Sequence, residues 1–85
     1  MSTDLHSIEV KDRKSFARFL ELLHEDLTKN PTEWENIKLT DFLEAMTRYT
    51  EDIQGYYDNT NQEINADEAS WKVFADILMG STIYE

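Results

Sequence analysis

The sequence predicts an all-α fold, a compact three-helix bundle with extended N- and C-terminal tails. Apolar residues recur at helical spacing in three separate segments, about residues 12–29, 40–57 and 67–79. The one weakly alternating segment, residues 5–10, has no second β-rich run with which to pair. The 85 residues contain no linker long enough to divide them, so we expect one small helical domain spanning residues 1–85.

The first helix is predicted over residues 12–29. Asp12 is a good N-cap, because its side chain can accept a hydrogen bond from the first-turn amides. Pro31 ends the helix, since a proline disfavours the helical conformation of the residue before it. The same proline can open a short extra turn over residues 31–35, with Asn30 as its cap. The apolar stripe of the helix consists of Phe16, Phe19, Leu20, Leu23 and Leu27.

The second helix is predicted over residues 40–57, with Thr40 as its N-cap. Its apolar residues fall within roughly 140° of arc, and five carboxylates fall on the opposite side with Arg48 as the only base among them. Gly55 lies near the helix end, where it either weakens the last turn or lets a neighbouring backbone approach. Tyr56 and Tyr57 are about 100° apart, so at least one of them should be partly exposed. The carboxylates are Asp41, Glu44, Glu51, Asp52 and Asp58.

The third helix is predicted over residues 67–79, after a polar loop at residues 58–66. Asp67 is the expected N-cap, and Gly80 is the expected residue just past the C-terminal end. Residues 1–10 are expected to form an extended arm packed on the helices, and residues 81–85 a tail that folds back. The apolar side of this helix consists of Trp71, Phe74, Ala75, Ile77 and Leu78, with Trp71 and Trp34 both expected in the core.

The net negative charge of the chain indicates which kinds of molecule can be its partner. The chain has 18 acids against 8 bases, a net charge of −10. Free nucleic acid and anionic membranes are poor partners, because phosphate binding needs clustered Lys and Arg. A basic protein is the natural complement, since opposite charge speeds encounter. The acidity can also serve solubility alone.

The residue types give no basis for an enzyme, a metal site or a cofactor. Cysteine is absent, and the two glycines cannot form a phosphate-binding loop. The segment from Asp58 resembles the start of a calcium loop, but Glu63 occupies the glycine position and Ala69 the position of the final acid. The lack of cysteine, of a membrane-length apolar run and of a signal peptide predicts a cytoplasmic protein.

Several groups of residues along the chain also form a recognisable set. They are PTEWEN at 31–36, Leu39 and FLEAM at 42–46, DI at 52–53, GYY at 55–57, Asn59, Gln62, Trp71, FADIL at 74–78 and YE at 84–85. As a set they resemble a family of small, acidic, uncharacterised bacterial domains, a domain of unknown function, over about residues 8–85. The resemblance implies a bacterial setting and an immunity-protein-like role, with no established activity to transfer.

These observations lead to a functional hypothesis: a bacterial immunity protein that neutralises a basic toxin by occluding its active site. Carboxylates would imitate phosphates, and tyrosines would fill the contact centre. The alternative is a self-associating structural or regulatory domain that forms a homodimer through exposed aromatic residues. An enzyme or small-ligand protein would instead show a deep pocket. The predicted partner-binding residues are Glu33, Glu35, Glu44, Glu51, Asp52, Tyr56 and Asp58.

Overall fold

The apolar stripes fold into four α-helices and one 3₁₀ turn. The computed structural model describes residues 3–84, with side chains from residue 5 onward. No strand occurs in this part of the chain, so the predicted all-α class is confirmed. The elements are α1 (Thr3–Ser7), α2 (Arg13–Lys29), the 3₁₀ turn (Pro31–Glu33), α3 (Leu39–Asn59) and α4 (Trp71–Ser81).

The start of α2 is the predicted one. Asp12 is its N-cap, and the Asp12 side chain accepts a hydrogen bond from the Ser15 backbone N–H at 2.8 Å. The Ser15 hydroxyl in turn accepts from the Asp12 backbone N–H at 3.0 Å, which completes a capping box. Pro31 begins the 3₁₀ turn directly after Asn30, so the predicted extra turn is confirmed, although it ends at Glu33 rather than at residue 35.

α3 is longer at both ends than predicted. It begins at Leu39 after Lys38, which makes no side-chain cap bond, so the prediction of Thr40 as N-cap is wrong. At the C-terminal end Asn61 adopts a left-handed conformation with φ of 58°. The Asn61 and Gln62 N–H groups then donate to the carbonyls of Asp58 and Tyr57, at 3.3 and 2.9 Å. This Schellman pattern ends the helix beyond the predicted boundary at residue 57.

α4 begins later than predicted. Ser70 is its N-cap and accepts from the Val73 N–H at 3.1 Å, so the predicted start at Asp67 is wrong. Asn65 accepts hydrogen bonds from the backbone N–H groups of Asp67 and Glu68, at 2.9 and 3.1 Å. This local turn competes with helix formation at residues 67 and 68. Gly80, predicted just past the helix end, lies inside α4.

The N-terminal arm, expected to be extended, forms the helix α1 over Thr3–Ser7, whereas residues 8–10 have no regular secondary structure. Leu5 in α1 and Val10 after it are buried in the core, and Ile8 between them packs against the same cluster. The C-terminal tail folds back as predicted: the Asn36 side-chain N–H₂ donates to the carbonyls of Ser81 and Tyr84, at 2.9 and 2.8 Å. Residues 1, 2 and 85 of the predicted tails lie outside the described residues.

α4 lies at the centre of the bundle. It packs against both α2 and α3, whereas α2 and α3 do not pack against each other within the described residues. This arrangement leaves the outer side of α3 without any covering helix. One core cluster joins α1, α2 and α4, and the second joins α3 and α4. The buried residues are Leu5, Val10, Phe19, Leu22, Leu23 and Ala75 in the first, and Ile53, Tyr57 and Val73 in the second.

Gly55 lies near the C-terminal end of α3 in open surroundings. A Cβ at this position would meet no atom within 4 Å, and no glycine described here has a positive φ. Within residues 3–84 no backbone outside α3 therefore approaches Gly55, and the glycine only weakens α3. Because glycine is about 1 kcal/mol less favourable than alanine inside a helix, Gly55→Ala should raise the free energy of unfolding by about 1 kcal/mol. Urea denaturation measures this change, and a decrease would contradict the open environment described for this position.

Candidate partner-binding surface

The outer side of α3 carries a continuous row of carboxylates, which we call the acidic face. Its members Asp41, Glu44, Glu51, Asp52 and Asp58 are all exposed. Successive members are 3, 7, 1 and 6 residues apart, positions that fall within about 120° of arc on one side of a helix. From Asp41 to Asp58 the face is about 25 Å long, at a rise of 1.5 Å per residue. The four α3 carboxylates among the predicted binding residues therefore share one surface.

Most of this charge is not neutralised within the molecule. The Arg48 Nη1 lies 2.8 Å from Glu44 Oε1, and both side chains are exposed, so this pair contributes little to stability. Glu51, Asp52 and Asp58 form no ion pair within residues 5–84. Residues 39–68 as a whole contain eight acids and one base. The acidic face is therefore a source of negative potential.

Tyr84 joins the acidic face from the C-terminal tail. Its hydroxyl donates to Asp52 Oδ2, and this hydrogen bond raises the pKa of Tyr84 above its usual value. The Tyr84 ring packs edge-on against Tyr49, with ring centroids 5.0 Å apart. Sequence reasoning missed this contact, because it joins residues 32 positions apart. A shallow depression of about 300 Å³ results, lined by Arg48, Glu51, Asp52 and Tyr84.

The adjacent tyrosines divide between core and surface. Tyr57 is fully buried, and its hydroxyl donates to Asp76 Oδ2 at 2.7 Å. Tyr56 is 45% exposed and lies beside Tyr57, with ring centroids 5.8 Å apart. The prediction that at least one of the two is exposed is confirmed. Tyr56 is thus available at the margin of the acidic face.

Asp58 lies beside a loop that is fixed by one glutamine. The Gln54 side-chain N–H₂ donates to Asp58 Oδ1 at 3.1 Å and to the Ile64 carbonyl at 2.9 Å. The Gln54 side-chain carbonyl accepts from the Ala66 N–H at 2.8 Å. Both groups of the amide are used, so the acidic end of α3 and the following loop are held together.

The two remaining predicted residues lie apart from α3. The Glu35 N–H donates to the Thr82 carbonyl at 2.9 Å, which ties Glu35 to the tail that also carries Tyr84. Glu33 is exposed and lines a different cleft, of about 260 Å³, which no residue of α3 lines. The predicted set therefore occupies two separate surfaces rather than one.

The same cleft contains a residue that sequence reasoning missed. Asp26 is only 6% exposed, and it accepts hydrogen bonds from Trp34 Nε1 at 2.9 Å and from Asn30 Nδ2 at 3.1 Å. A signal was present in the sequence, because Asp26 is four residues after Leu22 and three after Leu23. That spacing places Asp26 on the buried stripe of α2.

A comparison with protein families identifies the domain. The model described as "Family of unknown function (DUF7660)" matches residues 12–85. The chain belongs to DUF7660. The match contains α2, α3 and α4, and therefore the acidic face and the cleft apart from Leu5 and His6. It confirms the predicted membership of a family of unknown function. No curated protein and no solved structure matches the chain.

The described part of this DUF7660 chain is residues 3–84. None of the helices described there is both long enough and apolar enough to cross a membrane. No group of three or more His, Cys, Asp or Glu residues in that part of the chain is placed to hold a metal ion.

Proposed function

We propose that this DUF7660 chain is a protein-binding domain that engages a basic protein through the acidic face of α3. The observation that carries the proposal is that Glu51, Asp52 and Asp58 are exposed and form no ion pair within residues 5–84. Negative charges held in a row repel one another, and a basic partner relieves this repulsion while the opposite charges speed encounter. Tyr56 and Tyr84 at the margin supply amphipathic contact area.

In its finer form, the proposal is an immunity protein that acts as an inhibitor of a basic toxin. The acidic face would cover the toxin's active site, with carboxylates in place of substrate phosphates where the toxin is a nuclease. The chain itself would need no catalytic residue or cofactor, and it would act in a bacterial cytoplasm. Growth of cells that express the toxin, with and without this chain, tests the finer form: no rescue contradicts inhibition.

Affinity capture from a lysate of the native host tests the binding proposal with three baits. The first is the wild-type chain. The second, the α3-neutral variant, carries Glu51→Gln, Asp52→Asn and Asp58→Asn. The third, the loop-neutral control, carries Glu63→Gln, Asp67→Asn and Glu68→Gln, and thus removes the same number of charges from exposed residues outside α3.

We expect the wild-type chain and the loop-neutral control to retain the same basic protein, and the α3-neutral variant to lose it. Each substitution keeps the size of the side chain, so the helix and the contacts of Tyr84 and Gln54 should persist. Equal recovery with all three baits would contradict the proposed surface. Recovery of an acidic protein would contradict the electrostatic argument.

Exposed aromatic residues favour self-association as a second candidate function. Trp71 is 37% exposed and Phe74 42% exposed, contrary to the expectation that Trp71 lies in the core. The Trp71 ring lies 5.3 Å from Phe16 and 6.1 Å from Phe74, centroid to centroid, so an aromatic patch joins α2 and α4. Sedimentation velocity distinguishes the two functions, because a monomer at every concentration up to the hundred-micromolar range excludes a homodimer of functional strength.

A further inference from the structure

The buried carboxylate of Asp26 has no lysine or arginine partner within residues 5–84. Its two oxygens each accept a hydrogen bond from a neutral donor, Asn30 Nδ2 and Trp34 Nε1. The ion pairs of the described lysines and arginines are made with Glu21, Glu25, Glu44 and Asp76 instead. Removing a carboxylate from water is costly unless a cation or a full set of hydrogen bonds compensates. A carboxylate can accept about four hydrogen bonds, so Asp26 retains capacity for more donors.

Asp26 borders the cleft of about 260 Å³ that Glu33 also lines. Leu23, Trp34 and Met79 form apolar walls, and His6 borders the same space. The volume is below the roughly 300–1,000 Å³ of pockets for drug-sized ligands, so the cleft suits one long side chain. It therefore combines apolar walls with one buried acid, Asp26, and one exposed acid, Glu33.

We infer that this cleft accepts a cationic side chain, arginine in preference to lysine, from the basic partner. The planar guanidinium can stack on the Trp34 indole and donate to two acceptors at once, as an ammonium cannot. Its aliphatic stem lies against the apolar walls, and its N–H groups donate to Asp26 and Glu33. The inference rests on the proposed function only in that the partner supplies the arginine.

The cleft and the acidic face are close enough for one partner to reach both. Thr82 and Ile83 line the cleft, and the next residue, Tyr84, donates to Asp52 on the acidic face. A partner that covers the tail can therefore place one arginine in the cleft while its other bases meet α3. In this arrangement Glu33 contacts the same partner as the acidic face does, although Glu33 lies apart from α3.

An NMR titration of the wild-type chain tests the inference without the partner. The probe is N-acetyl-arginine amide, and the matched control ligand is N-acetyl-citrulline amide, which has the same shape without the charge. The Trp34 indole N–H reports on the cleft because it donates to Asp26, and the Trp71 indole N–H serves as an internal reference. We expect a saturable shift of the Trp34 signal with the arginine probe, no such shift with citrulline, and no change at Trp71.

Variants separate recognition from folding. The Glu33 side chain has no hydrogen bond or ion pair in the described residues, so Glu33→Gln should fold normally and bind the probe about two- to fivefold more weakly, the effect of one exposed ion pair. Glu63→Gln is the matched control and should bind as the wild type does. Asp26→Asn should abolish the saturable shift. A lost response of Asp26→Asn counts only if this variant is shown to be folded. The result for Glu33→Gln can be interpreted whether or not Asp26→Asn folds.

Three outcomes would overturn the inference: no saturable shift at Trp34, an equal shift with citrulline, or equal binding by Glu33→Gln and Glu63→Gln. The α3-neutral variant keeps the cleft intact and should respond to the probe as the wild type does. The two proposals can therefore fail separately. Loss of the Trp34 response leaves the acidic face untouched, and failure of partner capture leaves the cleft result standing.

Discussion

Tyr57→Ala is expected to lower the free energy of unfolding by about 3–5 kcal/mol, the usual cost of deleting a buried aromatic ring. Tyr57 is fully buried in the cluster with Ile53 and Val73, so the deletion leaves a cavity between α3 and α4. Small domains are stable by only about 5–15 kcal/mol, so this loss removes a large share of the total. Urea denaturation measures it, and a loss below about 1 kcal/mol would contradict the packing.

The Tyr57→Phe variant is the matched control, because it keeps the ring and removes the hydroxyl. In this variant Asp76 keeps its ion pair with Lys72, at 2.7 Å, so the free energy of unfolding should fall by only about 1 kcal/mol.

Burial, and then the hydrogen bond to Asp76, raise the pKa of Tyr57. Its folded-state pKa lies above the unfolded value near 10, so this stabilisation is present below about pH 10 and is lost as the pH rises further. The wild type should therefore lose more stability than Tyr57→Phe between about pH 8 and pH 11.

Gly80→Ala is expected to lower the free energy of unfolding by up to about 2 kcal/mol. An added Cβ would lie 2.2 Å from Cε2 and 2.3 Å from Cζ of the Tyr49 ring, so the ring must move. Overpacking of this kind costs about 1–3 kcal/mol, offset by about 1 kcal/mol of gained helix propensity. Tyr49 also packs on Tyr84, so its displacement should disturb the tail beside the acidic face.

Gly55→Ala is the matched control for this prediction, since both substitutions add one methyl group to a helical glycine. Only Gly80 has a neighbour in the way, and the two variants should therefore change stability in opposite directions. Removing the Tyr49 ring in the Gly80→Ala background should also make the two losses less than additive. Stabilisation by Gly80→Ala would contradict the close contact with Tyr49.

Local signals in the sequence predicted those parts of the fold that depend on neighbouring residues. Asp12 and Ser15 form their cap within one turn, and Pro31 acts on the residue next to it. The boundaries were wrong where two local preferences compete. Asp67 can cap a helix, but Asn65 accepts its N–H and that of Glu68, and Ser70 then caps α4.

The acidic face was predictable because helical periodicity alone sorts carboxylates from apolar residues. The parts that depend on tertiary packing were not. Asp52 meets Tyr84 only because the tail folds back, and Trp71, the first residue of α4, stays 37% exposed although its ring packs on Phe16 of α2. Asp26 combines the two cases: its position on the buried stripe of α2 could be predicted from the sequence, but its hydrogen bonds with Asn30 and Trp34 could not.

The association rate with the captured partner, measured by stopped flow from low to high salt, tests the central proposal most directly. For the wild type and the loop-neutral control we predict a rate that falls by at least about tenfold, because salt screens the steering by α3. The α3-neutral variant should associate more slowly at low salt and depend less on salt. A rate that is independent of salt, or identical for the α3-neutral variant and the wild type, would contradict the proposal.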